Sequence, residues 1–580
     1  MPTPKKPVKK APTKKSVGGQ HRTPQVADSG EKPIEYPATP LATVQSNLAK
    51  KFATSSDTAP HVVIEARAGT GKTTTLVSAL QVLKGQEPRA ANGSPIVPSP
   101  QQAVVWDEVA KSPRDSNVTF VAFNKAIATE LGSRVPAGCQ AMTMHSMGFK
   151  AVTKSLGRQE PTDWAVQELI AELCGTDTRE MRKKDGTILT ATNRLVSLCK
   201  MNLVGATDLD EDRWEEALDG LAGHYDVELN GSRSRIFDLV PRVLEKCKDP
   251  QGRITYDDMI WLPVVLGLSV PKADLLLIDE RQDLNKCQMG LALRAGNRII
   301  AVGDSRQSIY GFAGADAMAC QNFAEMLKSR DARGLVELPL TVTRRCGKAI
   351  VVEANKIVPD FEAHESNPEG RITSARYPFQ KNALGETEEL PWNETYMPQA
   401  QAGDMLLCRT NAPLVTNCFR FLRKGIKANI QGRDVGQGLI ATVNKLAKGE
   451  LLSINPFVGL LSDWHINESG KESAKKYPSE TRLIGLQDRY ECLLAFTEGA
   501  SHTGDVVRKI EEVFTDNKFS PGLRFSSIHK AKGLEAKRVF FLKPKTVFAR
   551  PPKRAWEAVQ AENLEYVAIT RAIEELTYVS

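Results

Sequence analysis

Short apolar runs recur along the chain and alternate with stretches whose apolar residues repeat at helical spacing. Several runs are apolar throughout, as expected of strands buried on both faces of a parallel sheet. We predict strands over His61–Ala66, Val118–Phe123, Leu275–Asp279, Arg298–Asp304, Val336–Thr341, Met405–Arg409, Leu523–Ile528, Val539–Leu542 and Leu576–Val579. Strands that alternate with helices indicate α/β sheets with parallel strands.

Three long stretches interrupt this alternation. Gly85–Asn117 is rich in Pro, Ser, Gln and Ala, which predicts a surface loop, whereas Asn444–Asp516 is mixed and predicted to be helical. A third stretch, Lys150–Lys248, is predicted to be mostly helical, with segments at Trp164–Cys174, Leu195–Leu203 and Arg213–His224. We therefore expect two α/β cores with one insertion each: a first core at 35–149 and 250–335, a helical insertion at 150–249, a second core at 336–443 and 517–580, and a small insertion at 444–516.

Positive charge is concentrated at the N-terminus. Residues 1–34 contain eight Lys or Arg and two acidic residues, so this segment carries +6 of the chain's net +8. It is rich in Pro and Lys and cannot build an apolar core, which predicts a disordered tail. Two interpretations stay open: a solvated leader, or an arm that binds nucleic-acid phosphates without sequence preference.

The remaining composition narrows the class of protein. No run of about 18 apolar residues occurs, and the N-terminus lacks the apolar core of a secretion signal, so we expect no membrane span. The ten cysteines include no C-x-x-C pair, which argues against a zinc or thioredoxin-like site. Reduced thiols fit a cytoplasmic protein.

The strongest local motif follows the first predicted strand. A glycine-containing turn leads into Gly71-Lys72-Thr73, which opens a helix, and Ala66 occupies the first glycine position of the G-x-x-x-x-G-K-T pattern. Glycines let backbone N–H groups approach phosphate oxygens, and a helix N-terminus favours negative charge. The motif predicts a P-loop in which Lys72 reaches the β- and γ-phosphates of ATP and Thr73 binds Mg²⁺. The predicted nucleotide contacts here are Ala68, Gly69, Thr70, Gly71, Lys72, Thr73 and Thr74.

Two further strands bring polar side chains to the same sheet edge. The apolar run Leu275–Ile278 ends in Asp279 and Glu280, at the carboxyl end where α/β sheets bind ligands. We assign Asp279 to Mg²⁺ through water, and Glu280 to orienting and deprotonating the attacking water. Gln307 follows the next strand and is predicted to contact both the γ-phosphate and that water.

These motifs, in this order, resemble those of the UvrD/Rep-like branch of superfamily 1 helicases. The resemblance extends from Gln45 to the C-terminus. Asp279-Glu-Arg-Gln-Asp283 is similar to the family's D-E-x-Q-D. The other matching segments are Val118–Ala126, Thr143–Ser146, Gly303–Ala315, Leu338–Cys346, Ser527–Glu535 and Glu562–Ala572. The resemblance implies two RecA-like P-loop NTPase cores with helical accessory insertions, and a compact, phage-type or F-box-type member because the chain ends soon after the sixth motif.

The resemblance also implies roles for single residues. Arg345 and Arg571 match arginines that the second core supplies across the nucleotide cleft. Gln45 matches a glutamine that reads adenine, and Glu535 matches the residue at the ribose. The remaining nucleotide contacts are Arg344 and Gly533.

The resemblance places single-stranded DNA across both cores. Aromatic side chains can stack on bases without reading sequence. The candidates are Phe123, Asn124, Thr143, His145, Tyr310, Phe312, His529 and Lys530. Composition alone leaves core packing open as the role of Tyr310 and Phe312.

Several positions depart from the family pattern. Arg67 stands where glycine is usual, which predicts a cation beside the phosphates, and Arg281 replaces a small residue. Ala313 stands where arginine is common, and Arg344 replaces the usual aromatic residue; if that aromatic stacks on adenine, a guanidinium must do so here. The short distance from Arg345 to His529 predicts a simplified second accessory domain.

The resulting expectation is an ATP- and Mg²⁺-dependent single-stranded DNA translocase that unwinds duplex DNA in replication, repair or recombination, with 3′→5′ polarity by resemblance. We expect a monomer that binds single-stranded DNA and single-strand/duplex junctions and works with replication or recombination proteins. One alternative is a DNA-stimulated ATPase that remodels or strips protein–DNA complexes with little unwinding. A P-loop kinase or metabolic NTPase would need an acceptor pocket and no arginines from a second core.

Overall fold

In the computed structural model the described residues are 59–580, with gaps at 91, 206–208, 226, 230, 310–317, 382–386, 475–479, 516–521 and 545–554. The predicted tail at 1–34 and the predicted site residues Gln45, Tyr310 and Phe312 lie outside the described residues.

The first core is built on a six-stranded sheet in which every strand pair is parallel. Its strands are β1 (His61–Ala66), β2 (Val118–Ala122), β3 (Cys139–Thr143), β4 (Ala273–Ile278), β5 (Gly296–Gly303) and β6 (Leu335–Leu340). They lie in the order β3-β2-β4-β5-β1-β6. β1 lies between β5 and the edge strand β6, and the turn after β1 opens at the carboxyl edge of the sheet, where a parallel sheet places its ligands.

The sixth strand corrects one predicted boundary. We assigned the run that begins at Val336 to the second core, but β6 pairs with β1 along its whole length, from His61 beside Leu335 to Ala66 beside Leu340. The change of sheet therefore comes after Leu340. An apolar run shows that a strand is buried but does not indicate which sheet it joins.

Helices cover both faces of this sheet. Up to residue 330 they are α1 (Lys72–Leu83), α2 (Pro100–Ala110), α3 (Lys125–Arg134), α4 (Met144–Leu156), α5 (Ala165–Leu173), α6 (Thr178–Lys184), α7 (Gly186–Asn202), α8 (Glu211–His224), α9 (Arg233–Cys247), α10 (Asp258–Val265), α11 (Lys286–Ala295) and α12 (Ala319–Arg330). The first insertion, α5–α9, shares one continuous apolar cluster with residues of the sheet such as Leu276 and Ile299. A fully buried ion pair, Lys200 with Asp258 at 2.6 Å, joins α7 to α10.

Helix α2 lies inside the stretch that we predicted to be a loop. The Ser99 hydroxyl accepts a hydrogen bond from the Gln102 backbone N–H, and the Gln102 side chain accepts one from the Ser99 N–H. Pro100 follows at the first helical position, where its missing N–H costs nothing. Ser-Pro-Gln-Gln is therefore a helix start, and the loop prediction was wrong because composition was weighed above this capping box.

The second core contains a seven-stranded sheet that is also parallel throughout. Its strands are β7 (Arg371–Ala375), β8 (Met405–Cys408), β9 (Ala428–Gln431), β10 (Phe514–Thr515), β11 (Leu523–Ser527), β12 (Ala536–Leu542) and β13 (Ala572–Val579), in the order β7-β13-β12-β8-β11-β9-β10. The helices are α13 (Lys348–Ala354), α14 (Ala412–Arg423), α15 (Arg433–Leu446), α16 (Ile454–Ser473), α17 (Glu480–Thr497), α18 (Thr503–Val513) and α19 (Ala555–Ile569). The predicted α/β fold with two parallel cores is confirmed.

The second insertion is helical, with α16, α17 and α18 between β9 and β10. Buried residues of these helices, including Leu461, Leu493 and Ile510, share an apolar cluster with Leu406 and Phe525 of the second sheet. This insertion therefore rests on one face of the second core. Across the part of the chain that the structure describes, no helix combines the length and apolarity needed to cross a membrane.

Candidate nucleotide-binding and DNA-binding site

The P-loop leaves β1 at its carboxyl end and lies against the second core. Gly69 and Gly71 have φ of 69° and 79°, in the left-handed region that favours glycine. A Cβ on Gly69 would also come within 2.5 Å of Arg345 Cβ and 2.6 Å of Thr343 Oγ1. Glycine at 69 is therefore required twice, by its backbone angle and by the close approach of the other lobe.

The two predicted carboxylates lie at the end of β4, beside the start of α1. The Thr73 hydroxyl donates to Asp279 Oδ2 at 2.5 Å, so the predicted magnesium ligands already converge. Glu280 has φ of 55°, and its N–H donates to Asp279 Oδ1 at 2.9 Å. A left-handed backbone costs a non-glycine residue about 1–2 kcal/mol, a type of strain that concentrates at functional sites.

Asp279 and Glu280 are two neighbouring carboxylates at the carboxyl edge of the first sheet, and their surroundings shift both pKa values. Burial, followed by the neighbouring Glu280, raises the pKa of Asp279 to about 6. Burial by itself would raise the pKa of Glu280, but the cations Lys72 and Lys532 outweigh it and the pKa is lowered. A bound dication would stabilise the charged form of Asp279, so the carboxylate pair is suited to one.

The donor set fits Mg²⁺ held jointly with a nucleotide. Among the described residues no group of three or more His, Cys, Asp or Glu side chains could hold a metal by itself. Thr73 and Asp279 offer one hydroxyl and one carboxylate, both hard oxygen donors. Mg²⁺ in such sites is bound by one or two protein oxygens and completes its coordination with phosphate and water.

Gln307 reaches this edge but its amide faces another side chain. Its Nε2 donates to Asp304 Oδ2 at 2.6 Å, and both residues are buried. The Asp304 N–H in turn donates to Gln282 Oε1 at 2.9 Å. The structure thus places Gln307 beside Asp304, with one N–H of its amide bound to that carboxylate.

The two predicted arginines of the second core lie on the cleft side. Arg345 Nε is 2.5 Å from Glu535 Oε2, which joins a predicted phosphate ligand to the predicted ribose ligand. Arg571 is fully buried, and its guanidinium donates to the carbonyls of Val567 and Leu534 at 3.0 and 3.2 Å. Burial and then Arg345 lower the pKa of Arg571 to about 10, so it remains charged at neutral pH, and its charge helps to lower the pKa of Glu280.

Three residues that connect the lobes were not singled out from the sequence. Lys532 Nζ contacts both carboxylate oxygens of Asp283 at 2.6 and 2.9 Å. Tyr566 Oη accepts the backbone N–H of Ala68 at 3.0 Å, and Asn563 Nδ2 donates to the carbonyl of Ser308 at 2.9 Å. All three lie inside motifs that the sequence revealed, but a motif does not indicate which of its side chains crosses to the other lobe.

Arg67 does not have the surroundings expected from the sequence, and it shares its partner Glu65 with Arg281. The Arg67 guanidinium was predicted to lie beside the phosphates, but it donates to Glu65 Oε1 at 2.8 Å and to both oxygens of Asp360 at 2.8 and 3.0 Å. Arg281 donates to the other oxygen of Glu65, at 2.8 Å. Glu65 thus binds both additional cations, and in this structure Arg67 is held by carboxylates.

Arg344, another predicted nucleotide contact of the second core, reaches the P-loop through its backbone. The N–H of Arg344 donates to the carbonyl of Gly69 at 3.0 Å, while the Arg344 side chain is exposed. Gly533 has φ of 84°, which lets the chain turn between Lys532 and Glu535. Segment 343–345 therefore contacts the P-loop directly, and segment 532–535 is joined to it through the ion pair of Arg345 with Glu535.

The DNA-binding candidates of the first core follow β2 and β3. Phe123 is 52% exposed. The side chains of Asn124 and Thr143 accept backbone N–H groups at the starts of α3 and α4, at 2.9 and 3.1 Å, so both already cap helices. In the sheet order β2 lies three positions and β3 four positions from β1, which places the ends of these strands roughly 14 and 19 Å from the P-loop on the same edge.

The two histidines among the candidates are uncharged at neutral pH. Burial lowers the pKa of His145, partly opposed by Asp257. Burial and then Arg409 lower the pKa of His529 to about 4. Lys530 Nζ lies 2.7 Å from Asp434 Oδ2 at an exposed position. His145 and His529 can therefore offer stacking and hydrogen bonds to a strand, but no positive charge.

Two parallel α/β sheets that meet at a P-loop, one supplying the carboxylates and the other the arginines, define a two-core protein of the P-loop class. Residues 47–328 match the family model of the UvrD/REP helicase N-terminal domain. This match, over just under half of the chain, confirms the resemblance to UvrD-like superfamily 1 helicases found in the motifs.

Curated relatives agree with this family. The chain is 24% identical over 509 residues to F-box DNA helicase protein 1 of Schizosaccharomyces pombe, covering 81% of this chain and 53% of that protein. It is 24% identical over 306 residues to the ATP-dependent DNA helicase PcrA of Staphylococcus epidermidis, covering 49% of this chain and 39% of PcrA. DNA helicase II of Escherichia coli is 26% identical over 196 residues, covering 30% of this chain and 26% of that protein. The chain thus spans about half the length, or less, of these relatives.

Proposed function

We propose that this chain is an ATP-dependent translocase on single-stranded DNA that unwinds duplexes, with 3′→5′ polarity. The observation that carries the proposal is the contact of the second core with the P-loop. Arg345 lies against Gly69, and Tyr566 accepts the N–H of Ala68. A nucleotide in this P-loop would therefore be bound between two lobes, as a motor that opens and closes on ATP requires.

Each lobe contributes a distinct part of the hydrolysis site. Lys72 and the N-terminus of α1 bind the phosphates, and Thr73 and Asp279 would hold Mg²⁺, which neutralises the developing charge when bound. Glu280 keeps a lowered pKa and is charged at neutral pH, as a residue that orients and deprotonates the attacking water must be. Arg345 and Arg571 supply positive charge from the other side, the role in which an arginine finger raises turnover by about 10³–10⁵.

The loop after β11 supports a connection between hydrolysis and the DNA strand. Lys532 contacts Asp283 across the cleft, while Lys530, two residues earlier, is exposed beside Asp434. One short segment thus carries a cleft contact and a predicted DNA contact. Opening of the cleft would separate Lys532 from Asp283 and move His529 and Lys530 relative to the first core.

Single-stranded DNA and single-strand/duplex junctions are the proposed partners, contacted by Phe123, Asn124, Thr143, His145, His529 and Lys530. Because the histidines are neutral, the strand would be bound by stacking and hydrogen bonds, with Lys530 adding a phosphate contact. We assign the chain to the cytoplasm, as a monomer that acts in replication, repair or recombination.

The test is ATP hydrolysis with and without single-stranded DNA, followed by unwinding of 3′- and 5′-tailed duplexes, with Lys72→Ala as the inactive control. Stimulation by single-stranded DNA and unwinding from the 3′ tail are expected. Equal ATPase rates in both conditions would exclude a motor. Stimulation without unwinding, together with displacement of a DNA-bound protein, would favour the remodelling ATPase instead.

A further inference from the structure

The N-terminal arm of the P-loop touches the second core at three consecutive residues. The Arg67 side chain bonds to Asp360, the Ala68 N–H donates to Tyr566 Oη, and the Gly69 carbonyl accepts the N–H of Arg344. The contacts at 68 and 69 use backbone atoms of the P-loop. Of these three hydrogen-bonded contacts, only the one at 67 is made by a P-loop side chain.

Arg67 is fixed from both lobes at once. On its own lobe, Nη1 donates to Glu65 Oε1 at 2.8 Å, and Glu65 is held in turn by the Ser305 hydroxyl at 2.6 Å and by Arg281 at 2.8 Å. On the other lobe, Nε and Nη2 make a two-pronged contact with the Asp360 carboxylate at 3.0 and 2.8 Å. This fork-to-carboxylate geometry fixes orientation as well as distance.

Asp360 is firmly attached to the second core although its own side chain is 52% exposed. Its neighbours Val358 and Phe361 are buried in the apolar cluster of that core. The Phe361 ring packs edge-on against Tyr566 with centroids 5.9 Å apart. A displacement of the second core therefore moves Asp360 and the Tyr566 hydroxyl together, and both act on adjacent P-loop residues.

We infer that Arg67 and Asp360 are positioning residues that hold the P-loop arm against the second core, and that Arg67 does not bind the triphosphate. This inference rests on the proposed nucleotide site but not on the DNA-driven activity. Its consequence is that loss of either charged group loosens the arm on which Lys72 depends. If Arg67 instead contacted phosphate, Asp360 would compete with the nucleotide for it, and the two groups would have opposite effects.

The experiment measures the dissociation constant of a fluorescent, non-hydrolysable ATP analogue with Mg²⁺ and without DNA. The proteins are the full chain, Arg67→Gln, Asp360→Asn, and the double variant. Each single variant is expected to weaken binding about two- to fivefold, the range of a partly exposed ion pair, and the double variant no further than either single one. Asp360→Glu keeps the carboxylate and should retain most of the affinity.

Arg242→Gln is the matched control, because it removes an arginine from the exposed pair with Asp238 within α9, away from the cleft. Three results would each overturn the positioning role. They are tighter binding of the analogue by Asp360→Asn, a loss of affinity in the double variant equal to the product of the two single losses, and wild-type affinity in both single variants. Because this assay requires neither hydrolysis nor DNA, failure of single-stranded DNA to stimulate the wild-type ATPase would overturn the proposed motor and leave this result unaffected.

Discussion

Replacing Lys532 by Met removes a buried cation that crosses the cleft. The side chains of Lys532 and Asp283 are 10% and 3% exposed, and Lys532 also donates to the carbonyl of Gln307 at 3.0 Å. Breaking a buried pair by removing one partner costs about 3–5 kcal/mol, because the other charge stays buried without compensation. Even with Lys532 in place, burial raises the pKa of Asp283 to about 6, so this carboxylate depends on its partner.

Because the pair lies between the lobes, the molecule can lower this cost by opening the cleft and hydrating Asp283. A loss of about 3 kcal/mol corresponds to a change of more than a hundredfold in the ratio of closed to open forms. We therefore expect Lys532→Met to lower turnover in a single-stranded-DNA-stimulated ATPase assay by at least about tenfold. The added variant Asp283→Asn should restore part of that turnover, since it removes the unpaired charge. Turnover within twofold of wild type, with an unchanged unfolding temperature, would refute this account of the closed cleft.

Three further predictions concern the chemistry of the site. Glu280→Gln should keep Mg²⁺-dependent binding of an ATP analogue but stop hydrolysis, because the amide cannot take the proton of the attacking water; normal turnover would disprove that assignment. Arg571→Ala should lower turnover and leave affinity for single-stranded DNA largely intact, as measured by fluorescence anisotropy; a matching loss of DNA affinity would assign it to the strand. His529 stays neutral in the folded protein down to about pH 4, while the unfolded chain takes up a proton below its ordinary pKa of 6.5, so stability should fall as the pH drops through this window. At pH 5.5 the free energy of unfolding should be about 1 kcal/mol lower, a loss that His529→Gln should not show. Thermal unfolding of both proteins between pH 5.5 and 7.5 measures this difference.

Most inner strands of both sheets were predictable because they are buried on two faces; β9 is the inner strand that was missed. The run His61–Ala66 coincides with β1, and Val539–Leu542 lies within β12. Among the edge strands, β6 was predicted, whereas β3, β7 and β10 were missed. β3 and β7 are edge strands, only partly buried, and their sequences Cys-Gln-Ala-Met-Thr and Arg-Ile-Thr-Ser-Ala contain few apolar residues. An edge strand needs less apolar surface, so its pattern resembles that of a loop.

Short sequence motifs are enough to identify the chemistry that one lobe can offer. A P-loop needs glycines at fixed positions before Lys72 and Thr73, and a buried strand that ends in Asp279 and Glu280 needs an apolar run before them. These requirements are local, because backbone conformation and strand burial act over a few neighbouring residues. The α/β class, the two cores and the family resemblance all followed from such short motifs and their order.

Which charged groups meet across the cleft depends on how the two cores pack. Arg67 binds Asp360, which lies 293 residues away along the chain, and Lys532 binds Asp283, which lies 249 residues away. No local pattern marks these partners, because an ion pair depends on distance in space and leaves no periodic signal in the chain. The position of Arg67 in the P-loop motif predicted a contact with phosphate. The packing of the second core instead brings the Asp360 carboxylate to the Arg67 guanidinium.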